Sequence, residues 1–307
     1  MHLVEKMVNK QLVTAETLKL ATLKQNKVEV EVLRLDKIHE VISGNKWFKL
    51  KNYLSHAMLH NYRTVITFGG PYSNHIVATA WAANRTGLHS VGVIRGERPI
   101  HLSQSLQMAA HFGMHLKFIS RSSFQNRKEA ANVLALSREF KNSYLIEEGG
   151  FGLPGIQGSG EILELVEKAR YSHILCAIGT GTMFLGLANG SDLKQQITGI
   201  CILKGMPDLM PGYKDWLESP DKMDYCRIHY DYHFGGYAKK NQLLFNFMNR
   251  FYADTAIRTD FVYTGKLFYA AIDLVNKKHF PAGSRLLVIH SGGLQGNLSL
   301  PKGTLNF

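Results

Sequence analysis

The stretch Thr64-Val65-Ile66-Thr67-Phe68-Gly69-Gly70-Pro71-Tyr72-Ser73-Asn74-His75 carries the signals of a strand that turns directly into a helix. Residues 64–68 are short, apolar and β-branched, which is typical of a buried strand. The glycines and the proline that follow favour a turn. Ser73 is a good N-cap, so a helix is predicted from residue 74 to about residue 84. A strand followed at once by a helix indicates an α/β fold.

The same alternation continues on both sides of this stretch. It predicts an α/β protein with a mostly parallel sheet arrangement flanked by helices. The glycine-rich residues 149–160 are interpreted as a flexible linker, part of it crossing between domains, and residues 206–237 as irregular. Further strands are predicted at 90–94, 116–120, 143–147, 173–178, 197–203 and 284–290. Helices are predicted at about 102–112, 127–140, 161–170, 242–252 and 266–276, with a short one after residue 182.

Composition places few limits on function. The 307 residues are 45% hydrophobic and 20% charged, which suits one large or two moderate globular domains. The longest apolar runs, such as 78–83 and 286–289, are far shorter than the roughly 20 residues that cross a membrane. Residues 1–6 lack the pattern of a signal peptide. Three cysteines without a CxxC pair predict a reduced, cytoplasmic setting, and the short apolar runs predict no membrane partner.

The net charge of +12 leaves two interpretations open. A basic chain could bind nucleic acid, or its surface could favour anionic small molecules. The lysines and arginines are scattered, and no RNP motif, zinc finger or helix-turn-helix pattern is present. We therefore predict no nucleic-acid partner, while nucleic-acid binding stays an alternative that the charge alone supports.

Glycine-flanked polar loops recur at four strand–helix junctions, where ligands of open α/β sheets bind. The first is Gly44-Asn45-Lys46-Trp47-Phe48-Lys49-Leu50. An isolated lysine is usually a solvated charge. A lysine beside two aromatic residues could instead be desolvated, which lowers the pKa of its amine and makes it a Schiff-base nucleophile.

Two of the other three loops suggest anion-binding sites. The helix start at Ser73 suits a carboxylate, although helix capping alone explains this serine, and His75 is more often a surface residue. Gly179-Thr180-Gly181-Thr182 has the backbone and hydroxyl donors that suit a phosphate, but it matches neither a P-loop nor a dinucleotide fingerprint. The fourth loop, His290-Ser291-Gly292-Gly293, ends the last strand.

A possible metal pattern is discounted. His229-Tyr230-Asp231-Tyr232-His233 alternates as metal ligands on one strand face do, but it supplies only three ligands and runs into a loop. No metal is therefore predicted.

Taken in this order, the loops resemble the D-cysteine desulfhydrase and 1-aminocyclopropane-1-carboxylate (ACC) deaminase family. These are fold-type-II, tryptophan-synthase-β-like enzymes that use pyridoxal 5'-phosphate (PLP). The resemblance covers about residues 30–296. It rests on Gly44-Asn45-Lys46 with Lys49-Leu50, on Ser73-Asn74-His75 and on His290-Ser291-Gly292-Gly293 as an ordered set.

The resemblance implies the architecture. Two open, twisted, mostly parallel sheets flanked by helices would hold the cofactor in the cleft between two domains. The small domain is expected at 52–155, and the large domain would combine 1–51 with 156–307. The family also implies a homodimer and a small amino-acid substrate.

The resemblance also implies residue roles. Lys46 would carry the cofactor as a Schiff base and shuttle protons, with Ser73 and Tyr263 completing the catalytic set. The substrate would contact Ser73, Asn74, His75 and Tyr263. The implied cofactor-binding residues are Lys46, Lys49, Asn74, Thr180, Gly181, Thr182, Thr264 and Ser291.

The expected reaction is α-proton removal and β-elimination, as in conversion of D-cysteine to pyruvate, sulfide and ammonia. ACC deaminase is the first alternative. ACC deaminases place Glu where this chain has Thr264, and a hydroxyl near the pyridine nitrogen would favour protonation less than a carboxylate. A non-catalytic PLP-binding protein is the second alternative, because Phe48 and Val77 stand where relatives usually have Arg. The tail 297–307 is also unusual for the family.

Overall fold

The computed structural model describes the backbone of residues 2–307 and the side chains of residues 4–307. No signal peptide is predicted for residues 1–6, and the first of these residues lies outside the described part of the chain. Ten strands are present among the described residues, and those predicted from the alternation lie within a few residues of their expected bounds. The strands are β1 (Ala15–Thr17), β2 (Glu29–Arg34), β3 (Thr64–Gly69), β4 (His89–Arg95), β5 (His115–Ile119), β6 (Ser143–Ile146), β7 (His173–Ile178), β8 (Gln196–Cys201), β9 (Cys226–His229) and β10 (Arg285–His290).

The strands form two sheets. One has six strands in the order β1-β2-β10-β7-β8-β9, and the other has four in the order β5-β4-β3-β6. Every neighbouring pair is parallel except β1 with β2. This confirms the predicted fold class of two mostly parallel sheets flanked by helices. All strands of the smaller sheet lie between residues 64 and 146, while the domain boundaries at 52 and 155 stay a prediction.

Helices cover the sheets, and four of them begin at a side-chain cap, from Ser73, Ser103, Ser120 and Asn241. Ser73 accepts a hydrogen bond from the Ile76 amide and so starts α4, as predicted, while Gly87 ends α4 in the left-handed region. The helices are α1 (His2–Glu5), α2 (Ala21–Gln25), α3 (Lys46–Leu59), α4 (Asn74–Thr86), α5 (Gln104–His111), α6 (Arg121–Gln125), α7 (Ala130–Glu139), α8 (Leu153–Gly160), α9 (Thr182–Gly190), α10 (Met210–Tyr213), α11 (Gln242–Thr255) and α12 (Thr264–Asn276).

The glycine-rich stretch was wrongly interpreted as a linker, since most of it is α8. An added Cβ at Gly158 would lie 2.0 Å from the carbonyl oxygen of Phe48 in α3, and one at Gly186 in α9 would lie 2.5 Å from that of Ile156. The glycines therefore let three helices pack backbone against backbone. This close packing compensates for the low helix propensity of glycine.

Two predicted helices differ from the structure. The helix expected at 127–140 begins only at Ala130, and the separate helix α6 precedes it. Residues 161–170 form two short 3-10 segments, Glu161–Leu165 and Lys168–Arg170, instead of one α-helix. In the described part of the chain, no helix combines the length and the apolar character needed to cross a membrane.

Candidate active site

A cavity of about 360 Å³ lies beyond the carboxyl ends of strands from both sheets. This is the edge at which open parallel sheets bind ligands, and the volume is in the range of small-molecule sites. Its wall contains most of the residues predicted from the sequence. The lining residues are Asn45, Lys46, Lys49, Gly70, Ser73, Asn74, His75, Arg95, Glu148, Gly149, Ala177, Gly179, Thr180, Leu203, Tyr237, Tyr263 and Ser291.

Lys46 is the first residue of α3 and lies inside this cavity. Its ammonium donates a hydrogen bond of 2.6 Å to Asn45 Oδ1, and its Nζ lies 5.9 Å from the centre of the Tyr263 ring. Burial lowers the pKa of Lys46 to about 8, against the opposing effect of Asp260. A substantial fraction of the amine is thus neutral and nucleophilic near physiological pH.

The tight loop before Lys46 requires Gly44. Its φ is +75°, and an added Cβ would lie 1.9 Å from the carbonyl oxygen of Ser291. The amide of Asn45 donates to the same oxygen. The first and fourth loops of the sequence are therefore packed directly together, which places Lys46 and Ser291 in one wall.

Lys49 lies one helical turn after Lys46 and also faces the cavity, as the three-residue spacing predicts. Its side chain is buried, and it has no carboxylate partner among the described residues. Burial, together with the nearby Lys46, lowers the pKa of Lys49 to about 7. The two lysines give this part of the cavity an affinity for anions.

The start of α4 offers unpaired polar atoms. Asn74 Oδ1 is buried and has no hydrogen-bond partner among the described residues, and the same holds for His75 Nδ1. His75 is buried, so the interpretation that it is a surface residue of the helix is wrong. Its Nε2 contacts Thr67 Oγ1 at 2.9 Å, and burial with the adjacent lysines lowers its pKa to about 3.

The loop between β7 and α9 presents Gly179 and Thr180 to the cavity. Gly181 and Thr182 do not line the wall, although both were predicted to contact the cofactor. Thr182 begins α9, and its hydroxyl lies 2.9 Å from that of Thr180. The φ of Gly181 is +88°, and Tyr213 Oη lies 2.2 Å from where a Cβ would be. The loop thus directs the N-terminal amides of α9 toward the cavity, with Thr180 lying between these amides and the cavity.

The prediction that Thr264 faces the cofactor is not matched by its position. Thr264 is fully buried and does not line the cavity. Its hydroxyl donates to Asp260 Oδ1 at 2.7 Å and accepts from the Asp260 amide at 2.7 Å. The side chain is engaged in the turn before α12, so the argument from a free hydroxyl near the pyridine nitrogen does not hold. Ser291 is the predicted hydroxyl that does line the wall.

Asp260 organises the turn that carries Tyr263. Its two carboxylate oxygens accept hydrogen bonds from the amides of Val262, Tyr263 and Thr264 at 2.8–2.9 Å. Tyr263 then lies in the cavity wall, where burial and the adjacent Tyr237 raise its pKa well above the usual value. Tyr263 is therefore a neutral hydroxyl at physiological pH.

Sequence reasoning missed three polar residues of the wall, namely Arg95, Glu148 and Tyr237. Arg95 ends β4, and Glu148 follows β6, so the rule that ligands bind at strand ends could have indicated both. Glu148 forms an ion pair of 2.8 Å with Arg127. Tyr237 lies in the region predicted to be irregular, and no local pattern marked it.

The two departures from the family pattern lie outside the cavity. Phe48 is fully buried in the core around α3, and Val77 is buried on α4. Neither lines the cavity, so these two departures, which suggested the non-catalytic alternative, do not change its wall. In the described part of the chain, no three His, Cys, Asp or Glu side chains are placed to hold a metal ion.

Comparison with known proteins identifies the cofactor class of this cavity. The family model described as "Pyridoxal-phosphate dependent enzyme" matches residues 9–292. The chain belongs to this family. A protein of Pyrococcus abyssi named "Putative 1-aminocyclopropane-1-carboxylate deaminase" is 32% identical over 286 residues, which cover 88% of this chain and 86% of that protein.

Two further relatives agree with this assignment. The mitochondrial bifunctional D-cysteine desulfhydrase/1-aminocyclopropane-1-carboxylate deaminase of Arabidopsis thaliana is 28% identical, over 88% of this chain and 74% of its own length. The crystal structure of an ACC deaminase homologue superposes with a TM-score of 0.78 at 26% identity, covering 96% of this chain and 95% of the other. The chain is therefore a fold-type-II, PLP-dependent enzyme of the family that contains ACC deaminases and D-cysteine desulfhydrases.

The cavity fits a phosphorylated pyridine cofactor. The unpartnered Asn74 Oδ1 gives a polar contact, the amide end of α9 behind Thr180 suits a phosphate, and Lys46 supplies an amine with a lowered pKa. Lys49 adds a second amine, whose pKa of about 7 leaves it partly protonated near physiological pH and so able to bind the phosphate. The residues present thus fit the cofactor: Lys46 would attach it, the loop at Thr180 would hold its phosphate and Asn74 would contact its ring.

Proposed function

We propose that this protein is a PLP-dependent lyase or deaminase that acts on a small amino acid by α-proton abstraction and β-elimination, with D-cysteine as the first candidate substrate. The observation that carries the proposal is the presence of Lys46, Ser73 and Tyr263 in the wall of one cavity. An amine, a carboxylate-binding helix start and a neutral phenol are the groups that this reaction needs.

The residues have separate roles in this proposal. Lys46 holds the cofactor and, once free, removes the α-proton, since its amine has a pKa of about 8. Ser73 and the amides at the start of α4 bind the substrate carboxylate. Tyr263 donates a proton near the leaving group, because its phenol stays protonated. The bound cofactor supplies the electron sink that makes the α-proton acidic.

Cofactor binding is assigned to the remaining wall residues. Asn74 and Ser291 are proposed to contact the ring, and Lys49 with Thr180 the phosphate. Gly181 and Thr182 are proposed to act from behind the wall by shaping the loop and orienting the amides of α9. His75, which is neutral, is proposed to hold the start of α4 in position beside the substrate through its hydrogen bond to Thr67. A homodimer and a cytoplasmic location are also proposed, on family resemblance and composition.

ACC deaminase activity is a second candidate. The relative named for this activity is 32% identical, and the Arabidopsis relative is named for both activities. The position of Thr264, bonded to Asp260 and away from the cavity, removes the main argument against it. D-cysteine loses its α-proton before the β-substituent leaves, whereas ACC has no α-proton and must open a ring carbon–carbon bond, so the products of the two candidates differ.

The test is a product screen with the purified, cofactor-loaded protein. D-cysteine, L-cysteine and ACC are supplied separately, and sulfide, pyruvate and 2-oxobutyrate are measured, with Lys46→Ala as the blank. Sulfide and pyruvate from D-cysteine support the proposal, and 2-oxobutyrate from ACC supports the second candidate. Borohydride reduction should label Lys46, and a chromophore attached elsewhere would contradict the site assignment. Labelling of Lys46 without turnover of any amino acid would favour the non-catalytic alternative.

A further inference from the structure

Lys266 is a fully buried lysine for which the proposed reaction has no direct use. It lies in the first turn of α12, three residues after Tyr263. It does not line the cavity, so it does not touch the reacting atoms. A buried ammonium is costly unless its N–H groups are satisfied, so its partners indicate its purpose.

Both partners of Lys266 are backbone carbonyls in one irregular segment, residues 230–241, which we name the Tyr237 segment. The Nζ donates to the carbonyl oxygen of His233 at 2.8 Å and to that of Gly236 at 2.7 Å. Gly236 directly precedes Tyr237, whose side chain lines the cavity. The lysine therefore fixes the backbone from which Tyr237 projects.

The same face of α12 holds the Tyr237 segment at two further points. Asp273 accepts a hydrogen bond of 2.7 Å from the Tyr232 hydroxyl, and the Tyr269 ring meets that of Phe234 at a centroid distance of 4.9 Å. These two contacts involve residues farther along the segment from Tyr237, whereas Lys266 bonds the residue directly before Tyr237. The segment has no helix or strand of its own, so side-chain contacts determine its position.

The consequence is a fixed pair of tyrosines. Tyr263 lies at the start of α12, and its ring is 6.1 Å from the ring of Tyr237, at an angle of 73°. Lys266 belongs to the helix that begins beside Tyr263 and is bonded to the segment that carries Tyr237, so it links the backbones that carry the two rings. We infer that Lys266 is a positioning residue that holds Tyr237 against Tyr263 in the wall of the substrate cavity.

This inference rests on the proposed function for its catalytic consequence, but its structural part is testable without turnover. Lys239 and Lys240 are exposed in the Tyr237 segment and are sites for trypsin. Lys266→Met keeps the length of the side chain and removes all donors. Without added amino acid, we expect tryptic cleavage at these two lysines to be about tenfold faster in Lys266→Met than in the wild type, because two charge-assisted hydrogen bonds are lost.

Lys222 provides a matched control. Its Nζ also donates to three carbonyls, those of Ala188, Asn189 and Ser191, at 2.7–3.0 Å, but at the end of α9 remote from the Tyr237 segment. Lys222→Met should leave cleavage at 239 and 240 unchanged. Equal cleavage of the wild type and Lys266→Met would overturn the inference whether or not an amino-acid substrate is found.

Kinetics then separate positioning from a general structural role. Lys266→Met, Tyr237→Phe and the double variant are compared in kcat and KM with the substrate found in the product screen. Positioning predicts that the double variant loses no more kcat/KM than the more impaired single variant, since both changes remove the same interaction. Losses that multiply would overturn it. Lys266→Arg, which keeps the donors, should recover part of the activity.

A variant that does not fold does not prevent the test. If Lys266→Met cannot be purified, Lys266→Gln takes its place in both measurements, because it keeps N–H donors on a side chain too short to reach both carbonyls. Failure of the proposed function would show as no turnover in the wild type, with the cleavage result unaffected. Failure of the inference would show as unchanged cleavage or as multiplicative losses.

Discussion

The hydroxyl of Thr264 donates to Oδ1 of Asp260 at 2.7 Å, and both residues are fully buried at the start of α12. The Asp260 amide donates back to the same hydroxyl at 2.7 Å. This reciprocal pair closes the turn that places Tyr263 in the cavity wall. Residue 264 is the position at which the sequences of ACC deaminases and desulfhydrases differ. In this chain its side chain stabilises the turn that carries Tyr263.

Thr264→Val should therefore lower stability. The isosteric change leaves the buried Asp260 amide without its acceptor, which costs about 1–3 kcal/mol in the free energy of unfolding. Thr79→Val is the control, because Thr79 Oγ1 is buried without a partner among the described residues and its removal breaks no bond. Urea denaturation of both variants measures the difference. Equal stabilities would show that the Thr264–Asp260 pair contributes nothing.

Lys49→Met should stabilise the cofactor-free protein while weakening cofactor binding. The pKa of Lys49 is about 7 in the folded chain against 10.5 when unperturbed, so the unfolded chain binds more protons between these values. Wild-type stability therefore rises with pH across this window relative to Lys49→Met. The variant should be more stable by on the order of 4 kcal/mol at pH 7, with the gain shrinking toward pH 10.

Lys51→Met is the control for that experiment. Lys51 is buried in the same helix but forms ion pairs with Glu5 and Glu161, so its removal leaves carboxylates without a partner. We expect it to destabilise the protein and to leave cofactor affinity unchanged. Urea denaturation at several pH values and a cofactor titration give both quantities. Lower stability of Lys49→Met at pH 7 would contradict the prediction.

Ser73→Ala should affect both stability and catalysis. Loss of the bond to the Ile76 amide costs about 1 kcal/mol, the usual value of a helix cap. Loss of the proposed contact to the substrate carboxylate should lower kcat/KM by about tenfold or more. Ser120→Ala removes a comparable cap, to the Ser123 amide, outside the cavity. Steady-state kinetics of the two variants should differ even if their stabilities match.

Gly181→Ala should reduce cofactor affinity by about tenfold or more. Its φ of +88° disfavours alanine, and the new Cβ would clash with Tyr213 Oη, so the loop before α9 must move. Gly87→Ala has the same conformational penalty at φ +73° but no atom within 4 Å. The control should lose about 1 kcal/mol of stability and keep its cofactor affinity. Cofactor titration by absorbance distinguishes the two, and equal affinities would contradict a phosphate role for this loop.

Much of the fold followed from local patterns. The run 64–75 predicted β3, the turn, the Ser73 cap and α4, because strand propensity, turn residues and capping act within a few residues. The spacing of Lys46 and Lys49 placed both on one face of α3 for the same reason. Four polar loops at strand ends then gave most of the cavity wall, since parallel strands bring their carboxyl ends to one edge.

Long-range contacts decided what those patterns left open. The glycines of 149–160 indicate a linker in isolation, and only the backbones of α3 and α9 beside them make a helix favourable. His75 became a buried, neutral side chain because the fold encloses it beside Lys46 and Lys49, with its Nε2 in contact with Thr67 on β3. Tyr237 joined the wall because Lys266, some 30 positions away, holds its segment.

The sequence by itself therefore determined the α/β architecture through interactions between near neighbours, and its resemblance to a known family predicted Lys46 as the attachment lysine. Only the tertiary structure decided that Thr264 supports the turn of Tyr263 from outside the cavity and that Tyr237 lines the cavity. The physical reason is that burial and hydrogen-bond partners depend on which distant segments meet, and no local pattern records that.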